Sequence, residues 1–151
     1  MLNKGAPKVA PLFNPPSVLS LEIMAMLVAM NTITAFASDD NHGYAFNIKA
    51  NYANTYSDSR YRQTTNTGNQ WKVNMTYSGE GEGTITTYWL ALYNNDHTLA
   101  SGTHDVKQGS GAHYYNAKSN ASQKDVCLGA ENNNNSTNTY IVSGYWDEET
   151  N

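Results

Sequence analysis

The stretch Thr84-Ile85-Thr86-Thr87-Tyr88-Trp89-Leu90-Ala91-Leu92-Tyr93 decides the fold. It is rich in β-branched and aromatic residues and holds no Gly or Pro, a composition that suits pleated backbone. Ile85, Thr87, Trp89, Ala91 and Tyr93 share one face; Thr86, Tyr88, Leu90 and Leu92 share the other. Both faces carry bulk, which predicts a central strand covered on each side. The face that carries Trp89 is read as the one turned to the core.

Working outward, the same two-residue period recurs, as half-buried strands require. Tyr44, Phe46 and Ile48 alternate with Ala45, Asn47 and Lys49; Trp71, Val73, Met75 and Tyr77 alternate with Lys72, Asn74 and Thr76. Weaker runs cover 99–107, 112–117 and 126–130. In the last run, Tyr140, Val142 and Trp146 oppose Ile141 and Tyr145. Turn chemistry separates them: Thr67-Gly68-Asn69, Gly79 to Gly83, Asn94-Asn95-Asp96, Gly109-Ser110-Gly111 and Asn132 to Asn135. The segment Tyr52 to Gln63 reads as a short edge strand near Tyr61 or as an ordered loop. About seven short strands, roughly ten residues apart, predict an all-β fold, a single antiparallel β-sandwich. Lys49, Lys72, Lys107 and Lys124 are placed to guard strand edges. Trp71, Val73, Trp89, Leu128 and Val142 are expected in the core, and Asp147 to Asn151 reads as a frayed acidic tail.

Upstream the chain changes character. All eleven Tyr and all three Trp follow Gly43, whereas four of the five Met and all four Pro precede Asn31. An apolar run ends in Ala35-Phe36-Ala37, and small residues at −3 and −1 after such a run are what a signal peptidase recognises. Residues 1–37 are therefore read as a signal-peptide-like leader, cleaved after Ala37, with the domain at 38–151 secreted. The leader lacks the basic residues that normally stand directly before the apolar core. A wrongly assigned start upstream of about Met24 explains this better than an unusual n-region. Ile23 to Ala37 is shorter than the roughly 20 apolar residues of a membrane span. No stable membrane span is expected in the mature form.

Residues 38–151 hold seven Lys and Arg against twelve Asp and Glu, a balance of −5. An acidic chain without a basic stripe is a poor partner for nucleic acid. Cys127 is the only cysteine, so no disulfide forms within the chain. Its neighbours Val126 and Leu128 make it a small core residue rather than a reactive thiol.

The sequence offers no catalytic constellation. His42, His97, His104 and His113 show no H-x-x-x-H or H-x-H spacing, and no second Cys supports zinc. They are read as solvated surface residues, so neither a metal nor a cofactor is expected. No G-x-S-x-G occurs, and Gly109-Ser110-Gly111 has hairpin-turn composition. Gly79-Glu80-Gly81-Glu82-Gly83 lacks the twelve-residue calcium-loop pattern. The chain is read as non-enzymatic.

His42-Gly43-Tyr44, Ser59 to Thr65, Thr87 to Ala91, Leu128 to Asn133 and Ser143 to Asp147 carry a resemblance over most of 42–149. By these segments the chain resembles a family of small exported proteins of unknown function from Bacillus and related spore-forming bacteria. The resemblance implies export and a compact β domain, and supplies no catalytic residue. Function is then read from tyrosine, whose flat apolar face and polar edge suit sugar rings and protein contacts. Tyr88, Tyr115 and Tyr145 lie opposite the face assigned to the core and are expected to form an exposed aromatic platform. The leading reading is an extracellular binding protein whose target is glycan, cell wall or protein. A carbohydrate or cell-wall binding module, and a bacteriocin-like antimicrobial or signalling protein, are the alternatives.

Overall fold

The computed structural model describes residues 39–151, and these form two antiparallel sheets packed face to face. The leader and the cleavage expected after Ala37 lie outside the described residues. Sheet A has the order β1-β9-β4-β7, built from β1 (His42–Ile48), β9 (Tyr140–Asp147), β4 (Trp71–Ser78) and β7 (His113–Tyr115). Sheet B has the order β2-β8-β5-β6, built from β2 (Thr55–Tyr56), β8 (Lys124–Asn132), β5 (Ile85–Leu92) and β6 (His104–Lys107). A further short strand, β3 (Arg60–Arg62), also pairs β8. The sandwich thus has nine strands where about seven were expected. The ambiguous Tyr52 to Gln63 segment supplies two of them, and Ser57 links them along β8: its N–H donates to Leu128 O at 2.9 Å and its Oγ accepts from Leu128 N–H at 3.0 Å.

The main core lies between the sheets. Tyr44, Phe46 and Ile48 of β1, Trp71, Val73 and Met75 of β4, and Val142 and Trp146 of β9 enter it from sheet A. Val106, Val126 and Leu128 enter from sheet B. Each fully buried aliphatic side chain of this kind stabilises the fold by roughly 1.5–3 kcal/mol. Tyrosine hydroxyls bridge the two sheets inside this core. Tyr44 Oη donates to Tyr88 Oη at 3.0 Å, and Tyr140 Oη pairs with Thr86 Oγ1 at 3.1 Å. Buried polar atoms that find partners specify a packing without the cost of an unmet hydrogen bond. Three of the eleven tyrosines, Tyr44, Tyr88 and Tyr140, are thereby structural.

On β5 the expected inside and outside are exchanged. Thr86, Tyr88 and Leu90 face the inter-sheet core. Trp89 is buried as expected, but in a separate cluster with Ala91 and Cys127 on the outer face of sheet B, under Tyr56. Gly129 opposes Trp89 in the β5–β8 register, and a Cβ there would stand 2.4 Å from indole atoms. A glycine is what lets the indole lie flat on the sheet. In β4 the period breaks at a bulge between Met75 and Tyr77, so Tyr77 is exposed and Ser78 buried.

Two further expectations fail for electrostatic reasons. Lys72 guards no edge: it sits on a central strand, buried, with Asp39 and Asp147 as charge partners. The acidic tail is not frayed. Asp147 and Glu149 are buried, and the Glu149 carboxylate accepts from Gln63 N–H at 2.9 Å and Thr64 N–H at 2.8 Å. Asn69 Oδ1 accepts from Thr150 N–H and Asn151 N–H, and the buried Arg62 guanidinium donates to Glu148 O, Asn66 O and Asn69 O. Those donors hold the tail against the loop that follows β3.

Candidate functional site

The three tyrosines of the expected platform are dispersed. Tyr88 is fully buried, its hydroxyl bonded to Tyr44, and burial drives its phenol pKa far upward. It is excluded from any surface because the β5 faces are exchanged. Tyr115 is half-buried on the inner side of β7, 5.3 Å from Trp71 and stacked on His104 at 3.7 Å. Register explains this: Tyr115 opposes the core residue Trp71, and Tyr114, opposite Lys72, is the exposed neighbour. Tyr145 is half-buried on the other face of sheet A and accepts from Asn74 Nδ2 at 3.0 Å.

The aromatic surface that does form stands on sheet B, after β5. Trp89 anchors it. Tyr56 meets the Trp89 ring edge-on at 6.1 Å, His97 stacks on Tyr56 at 3.8 Å, and Tyr93 meets His97 edge-on at 6.5 Å. Four rings thus run from a buried indole to a tyrosine that is 55% exposed. The turn carrying them is held internally: Asn94 O accepts from His97 N–H at 3.2 Å and Asn94 Oδ1 from Thr98 N–H at 3.3 Å. His97 adopts φ +45°, a left-handed backbone that non-glycine residues rarely take, and the ring stack helps to hold it there. Two open hollows flank Tyr93. One, about 420 Å³, is lined by Tyr93, Asn94, Asn95 and His97. The other, about 280 Å³, adds Leu92, Lys124 and Asp125. A flat ring with amides on one side and a lysine and an aspartate on the other can stack on an apolar face and hydrogen-bond around its rim. Asn94-Asn95-Asp96 was legible as a turn, but the ring column depends on β2 pairing with β8, which no local pattern announces.

Ser110 Oγ lies 2.7 Å from His113 Nε2, yet the same hydroxyl donates to Lys107 O at 2.6 Å. A nucleophile needs its proton directed at the imidazole; here the proton is committed to a carbonyl. Cys127 is equally withdrawn. It is fully buried, its Sγ donates to Ala91 O at 3.7 Å, and burial pushes its thiol up to about 11.

At the far end of sheet A, strand pairing creates a convergence that sequence spacing conceals. His42 opposes Trp146 in the β1–β9 register, so it meets the residues that follow Trp146. His42 Nε2 is 3.5 Å from Glu148 Oε2, and one ligating atom each of His42, Asp147 and Glu148 lies within 4.8 Å of the others. Burial pushes Asp147 up to about 6, although a hydrogen bond from Glu149 N–H and the charge of Lys72 act against it. Glu148 is raised for the same reason, with Arg60 opposing. An open cleft of about 340 Å³, lined by His42, Tyr56, Asp58, Arg60 and Trp146 among others, adjoins this group. Read as a solvated surface residue from the sequence, His42 is instead half-buried and paired.

No helix among the described residues is long and apolar enough to cross a membrane. Neither the curated proteins nor the solved structures contain a significant match to this chain. One family does match, over residues 31–150, which spans the whole sandwich. The chain belongs to that family, described as proteins of unknown function (DUF2712).

Proposed function

We propose that the protein is exported and acts outside the cell as a non-catalytic binding module, with sugar rings as its ligand and Tyr93 as the stacking platform. The observation that carries this reading is the column Trp89–Tyr56–His97–Tyr93, which ends in an exposed ring between two open hollows. A ring ordered in advance loses little freedom on binding, so more of its contact energy appears as affinity. Asn94 and Asn95 supply both amide donors and carbonyl acceptors beside it, suited to sugar hydroxyls. Export is supported by the apolar run ending in Ala35-Phe36-Ala37.

Retention of the purified protein on peptidoglycan, chitin and cellulose tests the reading. The wild type is expected to be held by at least one of them. Tyr93→Ala is expected to abolish retention, and Tyr145→Ala to leave it intact. No retention on any of the three, or retention indifferent to Tyr93→Ala, overturns the assignment of Tyr93 as a glycan platform.

A further inference from the structure

We propose that His42, Asp147 and Glu148 form a binding site for a divalent transition-metal ion of the Zn²⁺ type. The site is built on β1 and β9 of sheet A, whereas Tyr93 follows β5 of sheet B, and its test reads metal binding rather than glycan binding.

The first argument is convergence. Three side chains of ligating chemistry bring one donor atom each within 4.8 Å of the others. Metal–ligand bonds to N and O of about 2.0–2.2 Å place neighbouring donors roughly 3–4 Å apart. Small side-chain rotations close that gap, and His42 Nε2 and Glu148 Oε2 already stand at 3.5 Å.

The second argument is independent of the cluster's shape. Asp147 is 1% exposed, yet its Oδ2 accepts no hydrogen bond, and the buried Oε2 of Glu148 has only the 3.5 Å approach of His42 Nε2. The Asp147 carboxylate otherwise takes backbone hydrogen bonds from Glu149, to Oδ1 at 3.1 Å, and from Asp40. A buried carboxylate oxygen without a donor, as at Asp147 Oδ2, is costly and calls for a compensating cation. The nearest cation, Lys72 Nζ, is 3.9 Å from Asp147 Oδ2 and makes its close contact with Asp39. Its position leaves the Asp147 oxygen short of a direct bond.

The donor set selects the ion. An imidazole nitrogen with two carboxylates suits Zn²⁺ and its first-row neighbours, whereas Ca²⁺ and Mg²⁺ prefer all-oxygen shells. Three protein ligands leave one tetrahedral position for water or a ligand, and the cleft lined by His42 and Trp146 gives it access. Placement is rigid, because His42 and Asp147 belong to paired strands.

The test uses the full chain stripped with a chelator and titrated with ZnCl₂ by calorimetry. Trp146 fluorescence provides a second readout, since its ring lies 6.3 Å from that of His42. One Zn²⁺ per chain is expected, with a rise in melting temperature by mass action. His42→Ala and Glu148→Gln, both at partly exposed positions, are expected to weaken binding at least tenfold while circular dichroism stays unchanged. His113→Ala is expected to leave it as in the wild type. Absence of stoichiometric Zn²⁺ binding overturns the proposal. So does equal loss from His113→Ala, or tighter binding of Ca²⁺ than of Zn²⁺. If either decisive variant loses its fold, His42→Gln, close in size to histidine and without an imidazole, decides the matter by the same calorimetric measure.

Discussion

The two faces of β5 are both buried, but by different means. Tyr88 and Leu90 are covered by an entire opposing sheet, locked through tyrosine hydroxyls to β1 and β9. Trp89, Ala91 and Cys127 are covered by one tyrosine on a two-residue strand and the turn that stacks on it. The inner face therefore shares the cooperativity of the whole sandwich. The outer face depends on a cover with few contacts, the kind of element that opens locally. Candidate function sits on the weaker cover, where an exposed ring can be positioned without disturbing the sheet beneath.

Truncating each face should separate them most strongly. Tyr88→Ala removes a buried ring and leaves the Tyr44 hydroxyl only its longer bond, 3.3 Å, to Asn74 O. A loss of about 3–5 kcal/mol is expected, the usual cost of deleting a large core aromatic. Trp89→Ala should cost less, about 2–3 kcal/mol, because Tyr56 and His97 can settle onto the vacated surface. Urea denaturation of both variants checks the order; an equal or larger loss for Trp89→Ala breaks the distinction.

Glycine substitutions sharpen it. A Cβ on Gly144 would stand 1.8 Å from the Asn74 carbonyl oxygen, an atom fixed in the β4–β9 ladder. Gly144→Ala should cost about 3 kcal/mol, at the upper end for overpacking, since backbone must move. On Gly129 the obstacle is the Trp89 ring, which can swing outward with its cover. Gly129→Ala should cost about 1–2 kcal/mol and shift Trp fluorescence toward that of a solvated indole. Melting temperatures and emission maxima of the two variants test this. A large loss for Gly129→Ala without a fluorescence change would mean that the indole is held as firmly as the inner core.

The inner architecture was largely readable from alternation. Tyr44, Phe46 and Ile48, then Trp71, Val73 and Met75, point inward as their spacing predicts. Alternation fixes which residues share a face but not which face meets the other sheet, and on β5 both sets were apolar enough to qualify. That ambiguity misplaced Tyr88, while the β4–β7 register turned Tyr115 inward. Bulges are similarly silent: the extra residue at Thr76 turned Tyr77 outward. The Tyr93 column and the His42–Asp147–Glu148 group escaped for a different reason. Each is assembled across strands far apart in sequence, and pairing register is a property of the whole sheet.

Cys127 offers the smallest perturbation and the most direct probe of the outer cover. Cys127→Ser exchanges a small buried group that bonds to Ala91 O, and should cost about 1 kcal/mol. Burial raises the native thiol from its ordinary value of 9.0 to about 11. The unfolded chain then binds fewer protons than the native one between those values, so stability is retained below pH 9 and declines as pH rises toward 11. The slope due to this one group is at most about 1.4 kcal/mol per pH unit, and subtracting the Cys127→Ser profile from the wild type isolates it. At neutral pH the thiol should react with an alkylating reagent only when its cover opens. If the cover opens by itself, labelling should outpace global unfolding measured under the same conditions. Tyr56→Ala should then accelerate labelling severalfold with little change in the urea midpoint. Labelling that tracks global unfolding in both proteins would show that the two faces of β5 open together, and that the outer cluster is as integral to the sandwich as the core between its sheets.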